Sequence, residues 1–444
     1  MSDKLPTNWA TCQLNDIATI TGGGTPKSSI EENFCEDEGT PWLTPADLSG
    51  YKQKFISRGA RNLTSQGYSS CSAKIMPAGT VLFSSRAPIG YVAIATDEIS
   101  TNQGFKSSIP ATGIDSHFLY YQLKHLKSIA EERATGSTFK ELSGKATAAL
   151  PVRVCPTAEQ ELIAEKLDQL LAQVDSIQAR LNNLPAILKR FRQSVLSAAV
   201  ARHKAKARPL GELVKIDVGH AFKSKEFTTS GIPLLRGQNI EPGKLRWKET
   251  KYYPNDKAAE FSHLLIKEGD IILAMDRPIV STGLKLAKAA LDDLPCLLVQ
   301  RVARFKDFQG LLPAYLYLLL SDVGFSNYIQ PNQTGSDIPH ISGKQILSYQ
   351  ISAPALSEQA EIVRRVEQYF ALADNLENAL KQARQRVDKL TQSILAKAFR
   401  GELVPQNPDD EPAEQLLARI AQARKDAEAL EKAAKKAARS KKKA

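Results

Sequence analysis

No apolar run in this 444-residue sequence approaches the roughly 18–20 residues needed to cross a bilayer, which excludes a transmembrane helix and a membrane partner. The opening Met1-Ser2-Asp3-Lys4-Leu5-Pro6 lacks the apolar core of a signal peptide. Cysteine is scarce. Cys12, Cys35, Cys71, Cys155 and Cys296 are widely spaced, odd in number and without a CxxC, a pattern of reduced cytoplasmic thiols and not of a disulfide framework or zinc site. The six histidines are scattered and form no HExxH, so no metal site is expected. A Gly-x-Ser-x-Gly elbow is missing as well. Gly136 to Lys145 and Gly335 to Lys344 imitate a phosphate loop, but their glycines stand too far apart, and Ala146 or Gln345 replaces the Mg-binding hydroxyl. Nor is there an Asn-Pro-Pro-aromatic motif for amino-group chemistry; Asn407-Pro408-Asp409-Asp410 is a tail turn. No catalytic residue is expected in this chain.

What is present is the composition of a folded protein, 42% hydrophobic and 24% charged, in a chain long enough for two to four domains. The net charge is +11. Seven cations and no acid lie between Lys432 and Lys443, so the remainder of the chain carries only +4. A basic tail holding a phosphate backbone loosely accounts for most of the imbalance.

The chain repeats itself. Thr135-Gly136-Ser137 recurs as Thr334-Gly335-Ser336, Ser143-Gly144-Lys145 as Ser342-Gly343-Lys344, Glu159-Gln160 as Glu358-Gln359, and Gln193-Ser194 as Gln392-Ser393, always 199 positions later. Earlier segments match more loosely. Leu14-Asn15-Asp16-Ile17 faces Leu210-Gly211-Glu212-Leu213, and Ala78-Gly79-Thr80-Val81-Leu82 faces Glu268-Gly269-Asp270-Ile271-Ile272, with the offset falling as low as 190. A shared frame with divergent filling is what two related domains with different ligands would show.

Residues 8–155 read as mixed α/β, with short β-type runs at Thr80 to Phe83 and Tyr91 to Ala95 and a helix from Ser116 to Glu132. The second half repeats this order, with a strand at Asp270 to Leu273 and a helix at Leu311 to Asp322. After Pro156 the period changes. Ile163, Leu167, Leu170, Val174, Ile177, Leu181, Leu184, Leu188, Phe191 and Val195 follow steps of four and three, and Ile362 to Ile394 repeats the register. Each stripe predicts a helix of about 40 residues, roughly 60 Å long, the first kinked at Pro185. The expected fold is α+β: two similar mixed α/β domains separated by a pair of long antiparallel coiled-coil helices, the halves related by a pseudo-twofold duplication. The boundaries are 1–155 and 207–354 for the domains, 156–206 and 355–405 for the helices, and 406–444 for a charged, partly disordered tail, in which Ala/Lys/Glu-rich Pro412 to Ala444 reads as a marginal helix ending in disorder. Thr21-Gly22-Gly23-Gly24, with no helix after it, reads as a mobile loop.

Gly24-Thr25-Pro26, Gly79 to Phe83 ahead of Arg86-Ala87-Pro88-Ile89-Gly90, Glu159-Gln160-Glu161-Leu162-Ile163, and Ala398 to Pro405 occur here in order and with duplication. In these motifs the chain resembles the specificity subunit of type I restriction-modification enzymes over roughly residues 8–425. The second half departs from them, with Gly219-His220-Ala221 and Asp276-Arg277-Pro278-Ile279-Val280. The resemblance implies two target-recognition domains, each reading one half of a bipartite asymmetric site in double-stranded DNA. It implies that the helices set the spacing and dock two modification subunits, directing adenine methylation and restriction. S-adenosylmethionine, ATP and Mg are then expected on partner subunits, the two restriction subunits among them, in a bacterial or archaeal cytoplasm. Two other readings compete: a coiled-coil scaffold with protein-binding end domains, and a self-contained DNA methyltransferase, which the missing catalytic motifs disfavour.

DNA contacts ask for long polar and cationic side chains on loops. In the first domain these are Thr25, Lys27, Arg86, Thr138 and Lys140, with Arg86 just past a buried-looking strand. In the second they are Lys223, Lys225, Arg236, Gln238, Arg277 and His340. The resemblance assigns partner binding to Gln160, Ile163, Gln359 and Ile362, although the two isoleucines read more readily as buried core. The paired Ser-Gly-Lys segments read either as turns or as docking elements.

Overall fold

A computed structural model describes residues 5–441 except residue 87 and residues 137–139, 202–205 and 332–338. The chain forms two compact units, Met1–Arg180 with Ala383–Ala444, and Leu181–Gln382. Sequence patterning divided the chain at the ends of the long helices. The structure divides it within them, because each helix half packs on a different domain core.

The first unit is built on a five-stranded sheet in the order Ala18–Gly22, Lys106–Pro110, Val81–Phe83, Val92–Ala95, Phe55–Ile56. Val81, Leu82 and Phe83 are all buried because both faces of that strand are covered. A second sheet, Phe34–Cys35, Arg61–Leu63, Thr40–Leu43 and Ser100–Thr101, contains a parallel pair that sets Trp42 opposite Ser100 and Leu43 opposite Thr101. The helix Ser116–His125 begins at Asp115, whose carboxylate accepts from Phe118 N at 2.7 Å. It stops short of Glu132: the backbone turns at buried Leu126, and a second helix, Lys127–Arg133, follows.

The second unit repeats the plan. Lys215–Val218, Val302–Lys306, Ile271–Ala274 and Leu286–Lys288 form a sheet in the same order as the first four strands above, and Leu234 and Leu235 pair in parallel with Leu297 and Leu298. Pro313–Ser321 is the matching helix.

The Ser-Gly-Lys segments are helix starts and not turns. Ser143 Oγ accepts from Ala146 N at 3.1 Å and Ser342 Oγ from Gln345 N at 3.2 Å, capping the short helices Gly144–Ala148 and Gly343–Leu347. The glycine run is not a mobile loop. A Cβ on Gly23 would lie 2.1 Å from the Thr101 and Asn102 carbonyl oxygens, so glycine is needed there for close backbone packing. Gly219 holds the matching place against Leu298 and Val299.

Two long helices, Thr157–Ala201 and Leu356–Ala398, carry the predicted stripes, and Pro185 does not interrupt the first. Within the first unit their segments run antiparallel: Gln178 Nε2 donates to Asp388 Oδ1 at 3.2 Å, while Ile163 and Leu167 share a core with Leu395 and Ala398. Within the second, Arg192 pairs with Asp374 at 2.7 Å and Glu377 at 3.1 Å, and Leu196 packs with Val366. The stripe positions are covered unevenly. Leu167, Val174, Leu188, Val366, Ala373, Leu380 and Val387 are buried. Ile177, Leu184, Tyr369, Leu376 and Leu390 are exposed by 37–49%.

The C-terminal segment forms the helix that its Ala/Lys/Glu-rich composition suggests, and the start of that helix is packed and not marginal. Ala413–Lys441 is helical, and Ala413, Leu416 and Ile420 are buried in the first unit's core on a stripe of threes and fours.

Each long helix is tied to its domain by a buried amide at the same place in both halves. Gln160 Oε1 accepts from Asp115 N at 2.9 Å, and its Nε2 donates to Cys155 O at 2.9 Å and Gly113 O at 3.4 Å. Gln359 does the same with Leu312 N at 2.8 Å, Pro354 O at 2.7 Å and Gly310 O at 3.0 Å. Both side chains are 0% exposed. Gln160→Ala and Gln359→Ala each leave buried backbone groups unpaired, and each is expected to cost its domain about 2–4 kcal/mol in denaturant unfolding.

Beside the first clamp, Glu159 is buried, and Trp9 Nε1 donates to both its oxygens at 3.0 Å. Burial pushes its carboxyl up to about 7, against the Trp9 hydrogen bond and aided by Asp410. The folded chain therefore holds a proton that the unfolded chain has released, and stability falls as pH climbs from the ordinary carboxylate value to the folded one. Glu159→Gln removes this loss. Its melting temperature is expected to rise relative to the parent between about pH 5 and pH 8, as scanning calorimetry at each pH would read.

Candidate nucleic-acid interface

In the first domain the candidate residues converge on one set of loops. Thr25 Oγ1 donates to Gln103 Oε1, and Lys106 Nζ donates to Gln103 O at 3.2 Å. Lys106 also pairs with Glu141 at 3.6 Å, and Arg86 pairs with the same carboxylate at 3.8 Å across an antiparallel bridge. Thr25, Lys27 and Lys140 are exposed, Lys140 being the chain neighbour of Glu141. Thr138 lies outside the described residues.

In the second domain the same bridge joins Asp276 to His340, with the acid now on the other side. Arg301 pairs with Asp276 at 3.5 Å. Arg277 N donates to Pro339 O at 2.7 Å. Arg277 and Arg301 sit at φ 44 and 65, a conformation uncommon for residues other than glycine and worth attention as a functional mark. Lys285 is drawn in as well. Its N donates to Pro278 O at 2.7 Å, a Cβ on Gly237 would lie 3.9 Å from its ammonium, and burial lowers its pKa against the pull of Asp276. Arg236, Gln238, Arg277 and His340 are thus gathered around Asp276 and Lys285. Lys223 and Lys225 are exposed on a separate turn, Ser224–Glu226, that follows His220 and Phe222.

Sequence reasoning missed Gln103, Lys106, Lys285, Gln300 and Arg301. Gln103 and Gln300 follow matching strands 197 positions apart, and that shift from 199 hid the match. The assignment of partner contacts to Gln160, Ile163 and Gln359 is corrected: all three are fully buried within their own unit and have no surface to offer. Ile362 is half-buried and lines an apolar groove of about 630 Å³ with Phe191, Val195, Ala198 and Tyr369.

Both domains therefore carry cationic and amide side chains on loops held by a rigid sheet, the chemistry that nucleic-acid recognition requires. The family model for the type I restriction modification DNA specificity domain matches this chain twice, over residues 6–186 and 203–383. The chain belongs to that family. It is 29% identical over 442 residues to the EcoKI specificity subunit of Escherichia coli K12, covering 91% of this chain and 92% of that protein. Over 260 residues it is 32% identical to the MjaIX specificity subunit of Methanocaldococcus jannaschii, 54% of this chain and 60% of that one. Its fold is similar to the HsdS subunit of Thermoanaerobacter tengcongensis, with a TM-score of 0.63 at 18% identity over 90% of this chain and 98% of that one. The role of the chain is DNA sequence specificity, and it is of the specificity-subunit class, not a catalytic one.

Glu141 holds two cations on the first domain and would face phosphates with the wrong sign. Glu141→Gln is expected to tighten binding to non-specific duplex several-fold at low salt and to steepen the salt dependence by about one unit of log–log slope. A salt titration of DNA affinity reads both.

Proposed function

We propose that each of the two domains reads one half of a bipartite, asymmetric site in double-stranded DNA, and that the chain directs two modification subunits to methylate one adenine in each half. Restriction subunits join the same assembly. S-adenosylmethionine, ATP and Mg are supplied on those partners, in the cytoplasm. The observation that carries this reading is the duplication itself: one frame used twice, with the loop side chains changed from Arg86 opposite Glu141 to Asp276 opposite His340. A frame repeated with altered loops serves two different half-sites.

The exposed stripes on the long helices support partner docking. Ile177 and Leu390 on the first unit, and Leu184, Tyr369 and Leu376 on the second, are apolar residues more than a third exposed. Exposed apolar stripes of that kind mark protein contact surfaces. The groove beside Ile362 continues the surface in the second unit.

Long-read mapping of adenine methylation in cells carrying the full set of subunits tests the proposal. It is expected to return an asymmetric bipartite motif with one modified adenine per half. Exchanging residues 207–354 for those of a relative should change one half-site only; a change in both halves would overturn the assignment. Methylation by the isolated chain with S-adenosylmethionine would instead support a self-contained enzyme. Removing residues 432–444 takes away seven cations and is expected to flatten the salt dependence of binding without altering the motif.

A further inference from the structure

In each domain three backbone hydrogen bonds frame a single exposed glutamine. In the first, Asn102 N donates to Leu43 O at 2.9 Å, Gly24 N to Thr101 O at 2.9 Å, and Ser85 N to Gly104 O at 2.7 Å. In the second, Val299 N donates to Leu235 O at 3.2 Å, His220 N to Leu298 O at 3.3 Å, and Met275 N to Arg301 O at 2.9 Å. The residue at the centre is Gln103 in one frame and Gln300 in the other, and both are exposed.

The neighbours do not match. Asn102 gives way to Val299, Gly104 to Arg301, Gly24 to His220 and Thr25 to Ala221. The glutamine stays while the residues around it change, and its exposure removes core packing as the reason. Lys27 and Lys223 also match in this frame, and both are exposed. A lysine there suits a phosphate, whereas a glutamine carries one donor and one acceptor side by side. That pair fits the N7 and N6 edge of adenine in the major groove, just as a guanidinium fits guanine. In the first domain Thr25 Oγ1 already donates to Gln103 Oε1. This leaves the second lone pair of that oxygen for adenine N6–H and the Nε2 group for N7.

We propose that Gln103 and Gln300 are equivalent base readers, each bidentate to the adenine of an A·T pair in its own half-site. The inference rests on the DNA-specificity reading above and sharpens it. Two domains that recognise different half-sites need share only what the half-sites share, and a glutamine kept in both frames fits an A·T pair present in each half.

The test uses the full chain assembled with its modification subunits and duplexes in which every base pair of the mapped site is substituted in turn. Gln103→Ala is expected to lose about ten- to a hundredfold of discrimination at one A·T pair in one half only. Gln300→Ala should do so at one A·T pair in the other half. Gln103→Glu and Gln300→Glu, which keep the size and remove the donor, should shift that position toward C·G. A uniform loss across all duplexes with a flatter salt dependence would mean phosphate contact and overturn the proposal. So would an unchanged scan, an effect centred on a G·C pair, or failure of both variants of a glutamine to assemble, which would make it a folding residue. If the parent complex shows no bipartite preference at all, the specificity reading itself fails and takes this proposal with it.

Discussion

A buried amide sets the relation between reading domain and helix. Gln160 and Gln359 each use an oxygen and a nitrogen on three backbone groups: the amide that opens the domain helix, the loop carbonyl just ahead of it, and the carbonyl that ends the strand-to-helix connection. No apolar side chain could replace it, because those backbone groups are buried and need partners. The start of each long helix is therefore fixed to its domain by direction-dependent bonds and not by apolar packing alone. That amide helps to fix where the loop side chains of the domain stand relative to the helix.

The two domains then diverge where the frame allows it. The backbone bridge at Arg86 and Glu141 is the bridge at Asp276 and His340, but the acid has changed sides. Backbone pairing does not depend on which side chain stands at either position, so such a bridge tolerates substitution in a way the amide clamp does not. Divergence on a fixed frame is what lets one fold serve two recognition tasks.

Much of this was legible in the sequence, for identifiable reasons. The clamp and cap segments kept one offset, 199, because each of their side chains satisfies a defined set of backbone groups. The helical stripes were legible through their period, yet several of their positions are exposed, since an apolar periodicity does not say what covers it. Gln160 and Gln359 were recognised as special and given the wrong role, because a polar residue at the head of a helix reads as surface until its backbone partners are seen. Gln103 and Gln300 were passed over: each is a single residue whose position is defined by hydrogen bonds from three distant segments. The helix near the C-terminus is legible in its composition, but the packing of Ala413, Leu416 and Ile420 is not, because the last third of the segment is so basic.

That helix has a consequence for the order in which the protein takes shape. The core of the first unit includes Leu395, Phe399, Leu416 and Ile420, contributed by the far end of the chain, whereas the second unit is complete within Leu181–Gln382. Domains generally fold as units and from the N-terminus during synthesis. Here the domain made first must wait on the ribosome for its closing segments, and the domain made second is the first to hold all its parts.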